Sequence, residues 1–154
     1  MGQVARPLIA LVVIVGLIAG GYFLLRDRLS GSVQDLRVGD CFDVPPGETA
    51  SGIQHQPCTV AHDAEVFVVG DVQADSYPVV FGFDDWVEEN CLGSAFQSYV
   101  GAAAEDRADI DVGYFSPTRD GWEGGDREIT CYLTPADGGK ITHSYKAGAA
   151  PAQD

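Results

Sequence analysis

The chain has 154 residues, with 23 acidic side chains against nine Lys and Arg and a formal net charge of −14. After Arg28 about 126 residues remain, with 22 acidic and six basic side chains for a net charge near −16, which is room for one modest core and no second domain. Such a charge excludes nucleic acid and anionic lipid head groups as partners of this part; it keeps a tethered domain soluble and suits a basic partner or wall cations.

The first element is an uncharged apolar run from Leu8 to Leu25, bracketed by Arg6 and by Arg26 and Arg28. As a helix it spans roughly 27 Å, close to the ~30 Å of a hydrocarbon core. Ala19, Gly20 and Gly21 also suit a cleaved signal peptide, but signal cores usually run about 7 to 15 residues, and this one continues through Tyr22, Phe23, Leu24 and Leu25. An uncleaved single-pass anchor is therefore expected. Arg26 and Arg28 would by charge alone put the larger part in the cytoplasm. Against that, the inner tail is only seven residues, and an even set of cysteines in a small domain belongs to oxidising compartments. The expected arrangement is a cytoplasmic tail at 1–7, a membrane helix at 8–25, a linker at 26–35, an extracytoplasmic domain at 36–146 and a disordered tail at 147–154.

Leu29 to Asp35 reads as a short polar leash. Beyond it, Glu65 to Val69 is β-branched and aromatic and predicts a strand. A helix is predicted over Asp85–Val100, capped by Asp85 with Glu88 in a capping box and ended by Gly101. Val87, Cys91, Leu92, Ala95, Phe96 and Tyr99 share its inner face. Ile110, Val112 and Tyr114 alternate with polar or small residues, as do Ile129, Cys131 and Leu133, and Lys140–Tyr145 is a further candidate strand after the turn residues of Thr134–Gly139. The sum is a small α+β domain, one main helix packed on an antiparallel or mixed sheet.

Four cysteines allow three pairings, and sequence alone does not choose. Local closure favours Cys41 with Cys58, leaving Cys91 with Cys131. Zinc is the competing reading, because Cys58 and His62 stand four apart; Cys41, Cys91 and Cys131 lack the short paired spacings of zinc modules, so no metal or other cofactor is expected.

Gly39-Asp40-Cys41-Phe42, Pro57-Cys58 followed by His62 and Glu65-Val66, Cys91, Tyr114 with Pro117, and Trp122 with Gly125-Asp126-Arg127 and Cys131 together resemble the septum-formation family of domains, common in actinobacterial membrane proteins. The resemblance covers about residues 36 to 134. It implies an extracytoplasmic domain with two disulfides, often on a single membrane helix, with a link to septation or envelope growth and no shared chemistry. Gly39, Asp40, His62, Glu65, Gly125, Asp126 and Arg127 are the motif residues to which a structural role is assigned.

His62 and Glu65, three apart, could also form a base with its orienting carboxylate, joined by Asp126. A histidine between a disulfide cysteine and a strand more often holds backbone in place. Arg127 is expected to pair with Asp40 or Glu65, or else to bind a charged ligand through its guanidinium fork. Trp122 is either an exposed aromatic anchor or a lid on the core. Asp109, Asp111 and Gly113 do not make a calcium loop, since Gly113 falls where a ligand is needed. Hydrolase, zinc-protease and phosphate-loop motifs are missing as well.

The leading expectation is a non-enzymatic, membrane-tethered interaction or structural domain of the cell envelope, with an envelope or division protein as partner. Its candidate surface is Tyr114, Phe115, Thr118, Trp122 and Arg127. The alternative is a small envelope hydrolase or metal-dependent enzyme using His62, Glu65 and Asp126.

Overall fold

A computed structural model describes residues 30–46, 52–79, 82–101 and 106–149. The anchor expected at Leu8–Leu25 and the end of the tail at 150–154 lie outside the described residues. Among the described residues no helix is long and apolar enough to cross a membrane.

Six strands form one sheet: β1 (Ser30–Gly31), β2 (Cys41–Asp43), β3 (Ile53–Gln56), β4 (Ala64–Asp71), β5 (Ile110–Phe115) and β6 (Glu128–Pro135), in the order β1-β3-β2-β4-β6-β5. The pairs β2–β3, β2–β4, β4–β6 and β5–β6 are all antiparallel. The three strands expected are β4, from its β-branched and aromatic run, and β5 and β6, from alternation. Strands β1, β2 and β3 are additions: β1 has two residues, β2 three, and β3, Ile-Gln-His-Gln, has a single apolar side chain.

Alternation along the strands divides the apolar residues between two faces. Phe67, Ile129, Cys131 and Leu133 pack with Val87, Cys91, Tyr99, Val100 and Trp122 on the helical side, while Leu36, Phe42, Ile53, Ala64 and Val66 form a second cluster. Phe42, Phe115 and Tyr132 close that second cluster as an aromatic trio, the Phe115 and Tyr132 rings 4.8 Å apart. A bulge in β4 serves both faces. Val66 pairs with Tyr132 but Val68 with Cys131, so Phe67 and Val68 both turn to the helical side before Val69 returns to the other.

In place of one main helix the described residues have two short ones, α1 (Asp84–Asn90) and α2 (Ser94–Val100), and a third, α3 (Arg119–Glu123), lies just before the turn at Gly124–Gly125. The break falls at Cys91–Gly93, where Gly93 has φ +76°, a conformation that favours glycine. It turns Leu92 outward, 42% exposed, while Val87, Cys91 and Tyr99 stay buried. The N-cap of α1 is Phe83, with no side-chain hydrogen bond, so the capping box of Asp85 and Glu88 does not form; Asp84 and Asp85 sit in the first turn, where negative charge complements the helix dipole. Gly101 ends α2 as expected.

The disulfides are Cys41–Cys58 and Cys91–Cys131. The first joins β2 to the turn after β3, and the second ties the α1–α2 break to β6. Lys140–Tyr145 is not a strand; only Ile141 pairs, in an isolated bridge with His62. The expected leash is folded in part. Val33–Asp35 is a 3₁₀ turn closed by a Ser32–Asp35 capping box, and Leu36 beyond it is fully buried. The expected tail also begins late, since the Ala147 N–H donates to the Tyr99 carbonyl at 2.7 Å, supplying an end-of-helix acceptor with its donor.

Candidate functional site

Glu65 is the second residue of β4, 1% exposed, on the helical face. The Tyr99 hydroxyl from α2 donates to its Oε1 at 2.7 Å, as does the Ser144 hydroxyl, and the Tyr145 N–H donates to Oε2 at 2.6 Å. Three donors of this kind are what a buried carboxylate needs in place of water. Burial and the neighbouring Glu65 carboxylate together hold the Tyr99 phenol well above its ordinary pKa. The donors Ser144 and Tyr145 were not apparent in the sequence, because the segment that carries them resembled a strand.

His62 is fully buried, with its backbone N–H and C=O both bonded to Ile141 and its Nδ1 2.7 Å from the Val60 carbonyl. A carbonyl only accepts, so Nδ1 carries the proton. Among the described residues Nε2 has no hydrogen-bond partner. Neither His62 nor Asp126 bonds to Glu65. Asp126 instead accepts from the Glu128 N–H at 3.0 Å and the Gln34 side chain at 3.1 Å. The acid–base trio drawn from His62, Glu65 and Asp126 is thus three separate structural positions, each with its own internal bonds.

The remaining motif residues build turns. The Arg37 N–H donates to Asp40 at 2.8 Å, and Gly39, at φ +96°, donates its N–H to the Val66 carbonyl, fastening this turn to β4. Arg127 pairs with neither Asp40 nor Glu65. Its Nη1 donates to the Trp122 and Asp126 carbonyls, and its guanidinium lies 3.6 Å from the centre of the Trp122 ring. The reason is local: the tight turn at Gly124–Gly125 folds Arg127 back over α3, so the backbone reaches it first.

Residues 38–154 match the family described as "Septum formation". The chain belongs to the septum-formation family. No curated protein and no solved structure matches it. The match takes in both disulfides and every motif residue named above, and it runs on through Ser144 and Tyr145, beyond the 134 limit drawn from the motifs. Membership of the septum-formation family points to septum formation or cell division.

The candidate surface of this septum-formation domain changes with Trp122, which is 6% exposed and packs edge-on to Tyr77 at 5.8 Å: a lid on the core, not an exposed anchor. Phe115 is half-buried in the aromatic trio. Tyr114 is half-buried too, its hydroxyl donating to Asp84 at 2.8 Å, and desolvation with that carboxylate raises its pKa. Thr118 is exposed and accepts the Gly121 N–H as the N-cap of α3. The outward side of this region is therefore Thr118, Arg119, Asp120 and Glu123.

Proposed function

We propose that the protein is a membrane-tethered, non-enzymatic scaffold of the cell envelope, its C-terminal domain outside the cytoplasm and engaging an envelope or division protein. One observation carries the reading: the polar motif residues Asp40, His62, Glu65, Asp126 and Arg127 make their hydrogen bonds within the domain, Glu65 to Tyr99, Ser144 and Tyr145 and the others to backbone groups, with the Gln34 side chain added at Asp126. The motif then encodes a frame, and recognition falls to the surface that the frame presents. The apolar run at Leu8–Leu25 supports the tether and the two disulfides support an oxidising compartment. The acidity of the domain favours a basic face on the partner and disfavours nucleic acid.

Photo-cross-linking in cells from Asp120 and Glu123, both exposed on α3, tests the reading. Capture of a division or wall-synthesis protein is the expected result. Capture of glycan alone, together with wall-hydrolysing activity of the purified protein, would overturn it.

A further inference from the structure

We infer that Cys41, Cys58 and His62 form a redox-gated site for a thiophilic divalent cation of the zinc class. The two Sγ atoms and a ring nitrogen of His62 lie within 4.8 Å of one another. With Nδ1–H committed to the Val60 carbonyl, Nε2 holds a free lone pair, the arrangement by which metal-bound histidines are oriented: one nitrogen donates to backbone, the other faces the ion. That Nε2 is buried without a partner among the described residues, although leaving a buried polar atom unpaired costs about 1–3 kcal/mol and is uncommon. The sequence separation of 17 between the cysteines hides the site from any search for short paired motifs.

The disulfide is the gate. While it is closed the sulfurs are poor ligands and the cation is excluded. A dithiol opens it by thiol–disulfide exchange, supplying two electrons and two protons and leaving as its own disulfide. Metal entry then expels both thiol protons, and two thiolates and one imidazole hold the ion with a fourth position open. Zinc–sulfur bonds of about 2.3 Å at a tetrahedral angle require the sulfurs to move to about 3.8 Å apart. The Cα atoms of Cys41 and Cys58, 5.2 Å apart, accommodate that by side-chain rotation. Cys58 is only half-buried and Val60 is exposed, so this edge of the site lies near the surface.

The full-length protein, purified in mild detergent and reduced with a dithiol, should bind one Zn²⁺ per chain. Maleimide labelling read by mass spectrometry should then show Zn²⁺ shielding Cys41 and Cys58 while Cys91 and Cys131 label as without metal. Co²⁺ should give thiolate charge-transfer absorption in the reduced protein and none in the oxidised. His62→Ala should weaken Zn²⁺ binding at least ~10-fold, and Cys58→Ser should abolish the Co²⁺ signal. Labelling unaffected by Zn²⁺, shielding at Cys91 and Cys131 instead, or a reduced chain that Zn²⁺ leaves unfolded by circular dichroism would each overturn the inference. The labelling experiment needs no variant, so misfolding of a mutant does not weaken it.

Discussion

Replacing Trp122 with Ala should strongly destabilise the domain, because it hollows the helical side of the core. Trp122 meets Tyr77 at 5.8 Å, Phe83 at 6.4 Å and the Arg127 guanidinium at 3.6 Å, and is 6% exposed. Truncating a buried tryptophan costs about 3–5 kcal/mol. Each aromatic contact contributes roughly 0.5–1.5 kcal/mol of that, and the cation–π contact about as much. Against a total of about 5–15 kcal/mol, a loss near 4 is large. With a urea m-value near ~2 kcal/mol/M, the midpoint should fall by about 2 M, and the melting temperature by about 15 °C. Far-UV circular dichroism is the suitable probe, because the substitution removes one of two tryptophans and leaves the half-buried Trp86. Trp122→Phe should retain the ring contacts and lose about 1–2 kcal/mol. A midpoint for Trp122→Ala within ~0.5 M of wild type, with m unchanged, would refute the assignment of Trp122 to the core and return it to the candidate surface.

Three other outcomes follow from the same geometry. Glu65→Gln keeps the shape but turns an amide N–H toward one of the donors from Tyr99, Ser144 or Tyr145; a loss of about 2–3 kcal/mol in urea is expected, with earlier proteolytic cleavage near Ser144. Tyr99 and Tyr145 are both buried with raised pKa values, so the folded state keeps protons that the unfolded state releases above pH ~10; stability should hold through neutral pH and fall as pH rises past that point, by about 1.4 kcal/mol per pH unit for each retained proton. A phenol titration at 295 nm that matched the unfolded chain would contradict this. Removing the Cys91–Cys131 disulfide should cost more than removing Cys41–Cys58, about 4 against 3 kcal/mol, because the loops span 40 and 17 residues; paired Cys→Ala variants compared in urea would show the order.

The sequence exposed what depends on local pattern and hid what depends on distant partners. β4 was legible because Val66 sits in a β-branched and aromatic run, β5 and β6 because Ile110 and Cys131 sit in alternating ones, and the disulfide pairs followed the shorter closure. The single helix was misread because Cys91 and Leu92 continue the apolar period straight through Gly93, whose positive φ breaks it. Ser144 and Tyr145 gave no sign of serving Glu65, 79 and 80 residues away, since a buried carboxylate names no partner in its own neighbourhood. Arg127 misled for the opposite reason: a charged side chain suggested a charged partner, while the adjoining backbone carbonyls and the Trp122 ring were nearer.

The bonds from Ser144 and Tyr145 to Glu65 also bear on the order in which the molecule can be finished. A ribosome makes β4 before residue 145, yet the Glu65 carboxylate near its start has no full set of donors until residue 145 has emerged. Until then the strand carries a charge that is costly to bury, which keeps the helical side of the sheet open during synthesis. The later-made segment thus acts as a latch, and shortening the chain before Ser144 would leave a nascent protein with both disulfides available and its centre still wet.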